Sequence, residues 1–429
     1  MTDTNIAPWL AQSRWPTVPI RLVARLGSGH TPSRSVPEYW ENCTVPWITL
    51  ADVWQLRRGN ISFISETKEK ISPIGLAHSA AVKHPAGTVI LSRTASVGFS
   101  AIMGTDMATS QDFATWTCGP RLEPRFLLHA LRGMAPDLTR VATGSTHKTI
   151  YMPDIEQLRV PLPSLEEQRR IADFLDAETD RIDQLVRLRS KQSSLISEGL
   201  AAEAVGLTGR PQIRGGGCAT ESLIQLRRAI ISTQTGSTPE NLYDLPDGGV
   251  SEGDVPWYTP AAIDSWMSIA TAEKATRRNG APIFPFGSVV ITGIGESLGK
   301  VAYLGHVATG NQQLTAITPA VGVNGKFMAW QLWAAEQEIR EWAQYSRIRI
   351  INNDSLKSFP IYLPSRAEQD TVVRKLDSHM VRARQVTDAF LRFRRLADER
   401  RQALITAAVT GQFDVSTASG RNVTDGVTA

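Results

Sequence analysis

Two stretches of this chain place apolar residues three and four apart over an unusual length. The first runs through Ile171, Leu175, Ile182, Leu185, Leu188 and Leu195. The second runs through Leu376, Met380, Ala383, Val386, Phe390, Phe393, Ala397 and Leu404. That period predicts amphipathic helices with charged residues on the remaining faces. Each stretch opens just after a proline with a capping box, Ser164-x-x-Glu167 and Ser365-x-x-Glu368, and each closes on a glycine, Gly209 and Gly411. Helices of about 40 residues span roughly 60 Å. Facing stripes predict a coiled-coil pair with Leu175, Ile182, Leu185, Leu376, Phe390 and Phe393 in its seam, and Gln192 and Arg400 break perfect heptads.

Between and before these helices the pattern changes to short β-branched runs, such as Thr88–Leu91, Ser288–Thr292 and Val301–Leu304, set between Gly and Pro turns. Such texture predicts mixed, strand-rich domains. The chain is also written twice. Gly29-His30-Thr31-Pro32 and Val45-Pro46-Trp47 are answered by Gly236-Ser237-Thr238-Pro239 and Val255-Pro256-Trp257. Gly87-Thr88-Val89-Ile90 is answered by Gly287-Ser288-Val289-Val290, and Ala108-Thr109-Ser110-Gln111 by Thr309-Gly310-Asn311-Gln312. Leu162-Pro163-Ser164 with Glu167-Gln168 returns as Leu363-Pro364-Ser365 with Glu368-Gln369. One order at a nearly constant offset marks a duplication. Gly-x-Thr-Pro reads as a tight turn, its glycine supplying an unusual backbone angle.

Composition narrows the function classes only partly. The 429 residues favour more than one domain, and 42% hydrophobic with 21% charged is ordinary for a soluble protein. No apolar run has membrane-spanning length and the first residues lack a secretory pattern, so a cytoplasmic location is expected. Cys43, Cys118 and Cys218 form no C-x-x-C pair, and the seven histidines form no His-x-x-x-His pair, so no metal site is expected. A net charge of +4 raises a polyanionic partner only slightly. No Asn-Pro-Pro-aromatic motif accompanies a cofactor loop, and Gly295–Val301 has the wrong spacing for a phosphate-binding loop. Gly293-x-Gly295-x-x-x-Gly299 imitates a dinucleotide fingerprint, but the strand-like run after it predicts a hairpin turn.

The duplicated order of G-x-T-P, V-P-W and L-P-S-x-x-E-Q before a long helix resembles the specificity subunit of type I restriction-modification systems, over about residues 18–415. The resemblance implies an α+β molecule with pseudo-twofold symmetry, two target-recognition domains being separated by two antiparallel long helices. Its domains would be residues 1–162 and 213–362, its helices 163–212 and 363–415, with 416–429 as a disordered tail. It further implies a non-catalytic chain whose two domains each read half of an asymmetric bipartite site on double-stranded DNA. The helices would set the spacer and dock two modification (methyltransferase) subunits, with restriction (translocase) subunits able to join. S-adenosylmethionine, ATP and Mg would be bound by those partners and none by this chain. A free-standing duplicated DNA-binding regulator and an enzyme of unusual sequence are the alternatives.

DNA contacts draw on Lys and Arg for phosphates and on Arg, Asn and Gln for base edges. Gly144–Lys148 and Tyr345–Arg349 hold equivalent polar, basic places before each helix, which nominates His147, Lys148, Arg347 and Arg349. Arg93, Gln111, Gln312, Gln313, Asn352 and Asn353 complete the candidates.

Overall fold

The computed structural model describes residues 8–57, 61–143, 148–209, 223–245, 249–345, 348–412 and 414–415. His147, Arg347 and the 416–429 tail lie outside the described residues. The chain divides into two units, one of residues 1–188 with 392–429, the other of residues 189–391. These divisions fall inside the long helices, not at their starts as the domain limits drawn from the sequence have it. The reason is that each half-helix packs with the sheet domain nearest it.

In the first unit a five-stranded sheet runs in the order Ala24–Ser28, Phe113–Cys118, Val89–Ser92, Ser100–Met103, Phe63–Ile64. A four-stranded sheet follows the order Glu69–Ile71, Val45–Ile48, Met107–Thr109, Lys83–His84. The second unit repeats the plan with Ile230–Thr235, Leu314–Pro319, Val289–Thr292 and Val301–Tyr303, beside Tyr243–Asp244, Lys274–Arg277, Asp254–Tyr258 and Thr309–Gly310. Val89–Ser92 and Val289–Thr292 are buried at every residue, hence their near-continuous apolar runs, Val-Ile-Leu and Val-Val-Ile. Val289–Thr292 pairs antiparallel with Val301–Tyr303, so Gly293–Gly299 is the loop of a hairpin.

The long helices are Leu165–Leu207 and Arg366–Val409. The second box is closed both ways: Glu368 N donates to Ser365 Oγ, and Ser365 N donates to Glu368 Oε2. Gly209 and Gly411 sit at φ 75° and 72°, the left-handed turn that ends a helix. Their missing side chains also admit rings, because a Cβ would lie 2.4 Å from Tyr362 Cδ1 and 2.5 Å from Trp15 Nε1, respectively. The helices pair antiparallel within each unit. In the first, Ile182 packs with Ala397 and Leu404, beside Val186 and Phe393, and Asp183 bonds Arg401. In the second, Leu200 and Ala204 share a core with Val373, Leu376 and Ala383, and Ser193 faces Thr387. Leu175 is buried against the first sheet domain, and Phe390 is half-buried. Leu185 is 47% exposed and stands outside the seam. A two-helix pair buries one narrow face, and the stripe is wider than that face. Among the described residues no helix is long and apolar enough to cross a membrane, and no group of three or more His, Cys, Asp or Glu is placed to hold a metal ion.

Each sheet domain is joined to its helix by one buried glutamine. Gln168 Oε1 accepts from Glu123 N at 2.9 Å, while its Nε2 donates to the Arg121 and Pro163 carbonyls at 3.0 Å. Gln369 repeats this with Asn324 N and the Pro364 carbonyl, both at 2.8 Å. A carboxylate one helical surface further on adds a second joint. Asp176 meets His129 Nε2 at 2.8 Å and Arg125 at 3.0 Å; Asp377 meets Trp330 Nε1 at 2.9 Å and Lys326 at 2.8 Å. Burial, outweighing the Asp176 bond, holds the His129 imidazole below its usual value of 6.5, and burial with the nearby Arg401 charge brings Arg132 down to about 10.

Two outcomes follow from this packing. Leu404→Ala, at a residue 1% exposed, should lower stability by about 2–5 kcal/mol, whereas Leu185→Asp should stay within about 0.5 kcal/mol in denaturant unfolding. Between the lowered folded value of His129 and 6.5 the unfolded chain binds a proton that the folded chain refuses, so stability falls as pH drops through that window. The melting temperature should therefore fall as pH is lowered through 6.5 towards the folded value of His129, and fall less in His129→Gln.

Candidate nucleic-acid interface

The parallel pairing of Val45–Ile48 with Met107–Thr109 aims two strand ends in one direction, and the loops after them meet there. Asp254–Tyr258 and Thr309–Gly310 do the same in the second unit. Across these ends runs the Gly-x-Thr-Pro segment. Its glycine is not a left-handed turn residue, contrary to the reading from sequence: neither Gly29 nor Gly236 has positive φ. What forbids a side chain is proximity. A Cβ on Gly29 would lie 1.9 Å from the Thr109 carbonyl oxygen, and one on Gly236 would lie 2.0 Å from that of Gly310.

This close approach places the rest of the motif. Trp47 Nε1 donates to the His30 carbonyl at 3.2 Å, and Trp257 Nε1 donates to the Ser237 carbonyl at 2.9 Å. Pro32 and Pro239 are buried. Thr31 Oγ1 then donates to Gln111 Oε1 at 2.7 Å, and Thr238 Oγ1 donates to Gln312 Oε1 at 3.2 Å. Both glutamines are exposed. Thus three motifs scattered along each copy converge on one exposed carboxamide.

A second loop borders it. Ala95 holds φ 57°, the left-handed conformation that Gly295 holds at 84° in the other copy. Ala95 N donates to the Lys148 carbonyl at 2.8 Å, and Gly295 N donates to the Arg349 carbonyl at 3.1 Å. The basic segments before each helix are thereby tied beside the glutamines, with Lys148 and Arg349 exposed. Arg93 lies between them, its Nε donating to the Gln111 carbonyl at 3.0 Å and an Nη to the Ile150 carbonyl at 3.4 Å. Its guanidinium staples the two loops together.

The candidates therefore separate by role. Arg93, Gln111 and Lys148 gather in the first unit; Gln312, Gln313 and Arg349 gather in the second, through Gly293 N on the Gln313 carbonyl and Gly295 N on that of Arg349. Gln313 is engaged locally, since its Oε1 accepts from Asn311 Nδ2 at 3.0 Å. Asn352 caps the short helix Asn353–Ser358 through Ser355 N at 2.8 Å, and Asn353 donates to Thr235 Oγ1 at 3.3 Å. Sequence reasoning missed Thr31 and Thr238 as braces and Gln168 and Gln369 as joints, although all four stand in the duplicated motifs.

Residues 12–192 and 250–382 match the family model described as the type I restriction modification DNA specificity domain. The type I restriction enzyme MjaIX specificity subunit of Methanocaldococcus jannaschii is 27% identical over 186 residues, 43% of this chain and 41% of that protein. The EcoR124I/EcoR124II specificity subunit of Escherichia coli is 24% identical over 177 residues, 38% of this chain and 42% of that protein. The matches thus span about two-fifths of those relatives' length. A chain solved in work on complex assembly and conformational transition of the type I R-M system covers 93% of this chain and 98% of its own. Its TM-score of 0.72 at 18% identity shows a common fold.

The glycine argument has a direct check. Gly29→Ala and Gly236→Ala should each destabilise by about 1–3 kcal/mol, because the new methyl meets backbone that cannot move aside. Gly199→Ala, on an open helix face, should instead stabilise by up to about 1 kcal/mol in the same unfolding measurement.

Proposed function

The chain belongs to the type I restriction-modification DNA specificity family, and from that membership we propose that it is the sequence-reading subunit of such a system, without catalytic chemistry of its own. One observation carries the reading: the same braced loop cluster is built twice, once in each unit, on one sheet plan. Two similar readers on one chain suit a bipartite double-stranded DNA site. The segments between the shared motifs, 30–45 and 237–255, differ in sequence, so the half-sites differ and the whole site is asymmetric. The long helices, each contributing to both units, set the spacer between half-sites.

Partner docking falls to the same helices. Leu195 and Leu396 hold equivalent places and are 56% and 58% exposed, one in each unit. Apolar residues left outside a helix pair are suited to burial by another chain. One such place per unit fits two modification subunits, which would carry S-adenosylmethionine and the methyl transfer, in the cytoplasm. Restriction subunits with ATP and Mg would join through that complex.

Exchanging residues 15–162 for those of another reader should change one half of the methylated sequence and leave the other untouched. Methylome sequencing of strains carrying the parent and the exchanged chain reads this directly. A change in both halves would count against two independent readers.

A further inference from the structure

We propose that Gln111 and Gln312 make one contact twice: each donates its amide N–H to a DNA phosphate oxygen at the corresponding place of its half-site, fixing register without reading bases. The inference rests on the specificity reading and adds a chemical role to it. Three features point there. First, each Oε1 is held by a threonine hydroxyl, and no hydrogen bond among the described residues engages either Nε2, so the amide faces outward as a donor. A phosphate oxygen needs only a donor, whereas the two-point pairing of a glutamine with adenine also uses its carbonyl. Second, the brace is the same in both units, with the tryptophan bond and the side-chain-free glycine behind it. A contact identical in two readers cannot distinguish two different half-sites; it suits what all DNA shares. Third, exposed Lys148 and Arg349 are tied to the adjoining loops, as expected beside a phosphate backbone. Contacts of this kind position a protein and leave specificity to other residues.

The test uses the full chain in complex with its modification subunits, and duplexes carrying the methylome-defined site. Gln111→Ala should weaken binding about three- to tenfold on the parent site and by the same factor on every single-base variant. Gln111→Lys should restore affinity and steepen the dependence of log K on log salt by about 0.9, since a cation at a phosphate releases a counterion. A neutral methylphosphonate at one position of the first half-site should weaken the parent complex and leave Gln111→Ala unaffected. Gln312 variants should repeat all this in the second half-site. A change of preference at one base pair in Gln111→Ala would make the residue a base reader and overturn the proposal. So would parent-like binding by Gln111→Ala, or an unchanged salt slope in Gln111→Lys with unaltered melting. A parent complex with no site preference would overturn the specificity reading itself.

Discussion

Burying a carboxamide takes two donors and its carbonyl lone pairs out of water, and the desolvation is offset only where partners are waiting. Gln168 and Gln369 meet that condition by reaching in two directions, to the backbone before the Pro124–Gly133 or Gly325–Ala334 helix and to the proline before their own. A displaced sheet domain would strand a buried amide in either place. The long helix is therefore not a tether to which a sheet domain is hung. Within each unit the sheet domain and its stretch of helix pack as one compact body, and the candidate interface inherits its orientation from that joint.

The two joints solve one problem with different chemistry. In the first, His129 and Arg125 close on Asp176; in the second, Trp330 and Lys326 close on Asp377. An indole N–H donates at any pH, whereas the unfolded chain can protonate an imidazole that burial keeps neutral when folded, so only the first joint carries a histidine-linked pH dependence. A similar divergence marks the bordering loop, where Ala95 adopts a left-handed conformation that costs nothing at Gly295. The backbone plan is older than the side chains that now serve it, as a duplication requires.

Local signals in the sequence carry most of the fold. Helix period, the boxes at Ser164 and Ser365, and the stops at Gly209 and Gly411 depend on neighbours within a turn or two, and all are legible. Leu185 is not, because a stripe states which residues are apolar and not how wide the partner's face is. Gly29 misleads for another reason: glycine serves turns and close approaches alike, and the deciding atom is a carbonyl in a distant strand. Of the candidate site, Gln111 and Gln312 are legible as polar residues in a repeated motif. The threonines that hold them are not, since only folding brings Thr31 to Gln111 across 80 residues.

The division of the helices between units also bears on how the molecule is made. The second unit is a continuous stretch, residues 189–391, and can close as soon as that stretch has left the ribosome. The first cannot. Its core includes Ile405, Ala408 and Val409, and Gln12 meets Gln412 across 400 residues. Until the last helix emerges, the first sheet domain waits with part of its apolar face bare, the state in which chains are most open to mispairing and to chaperones. Contacts so distant in sequence form late, after the long loop between them has closed. A product ending before residue 392 would leave the first unit's core without Ile405, Ala408 and Val409.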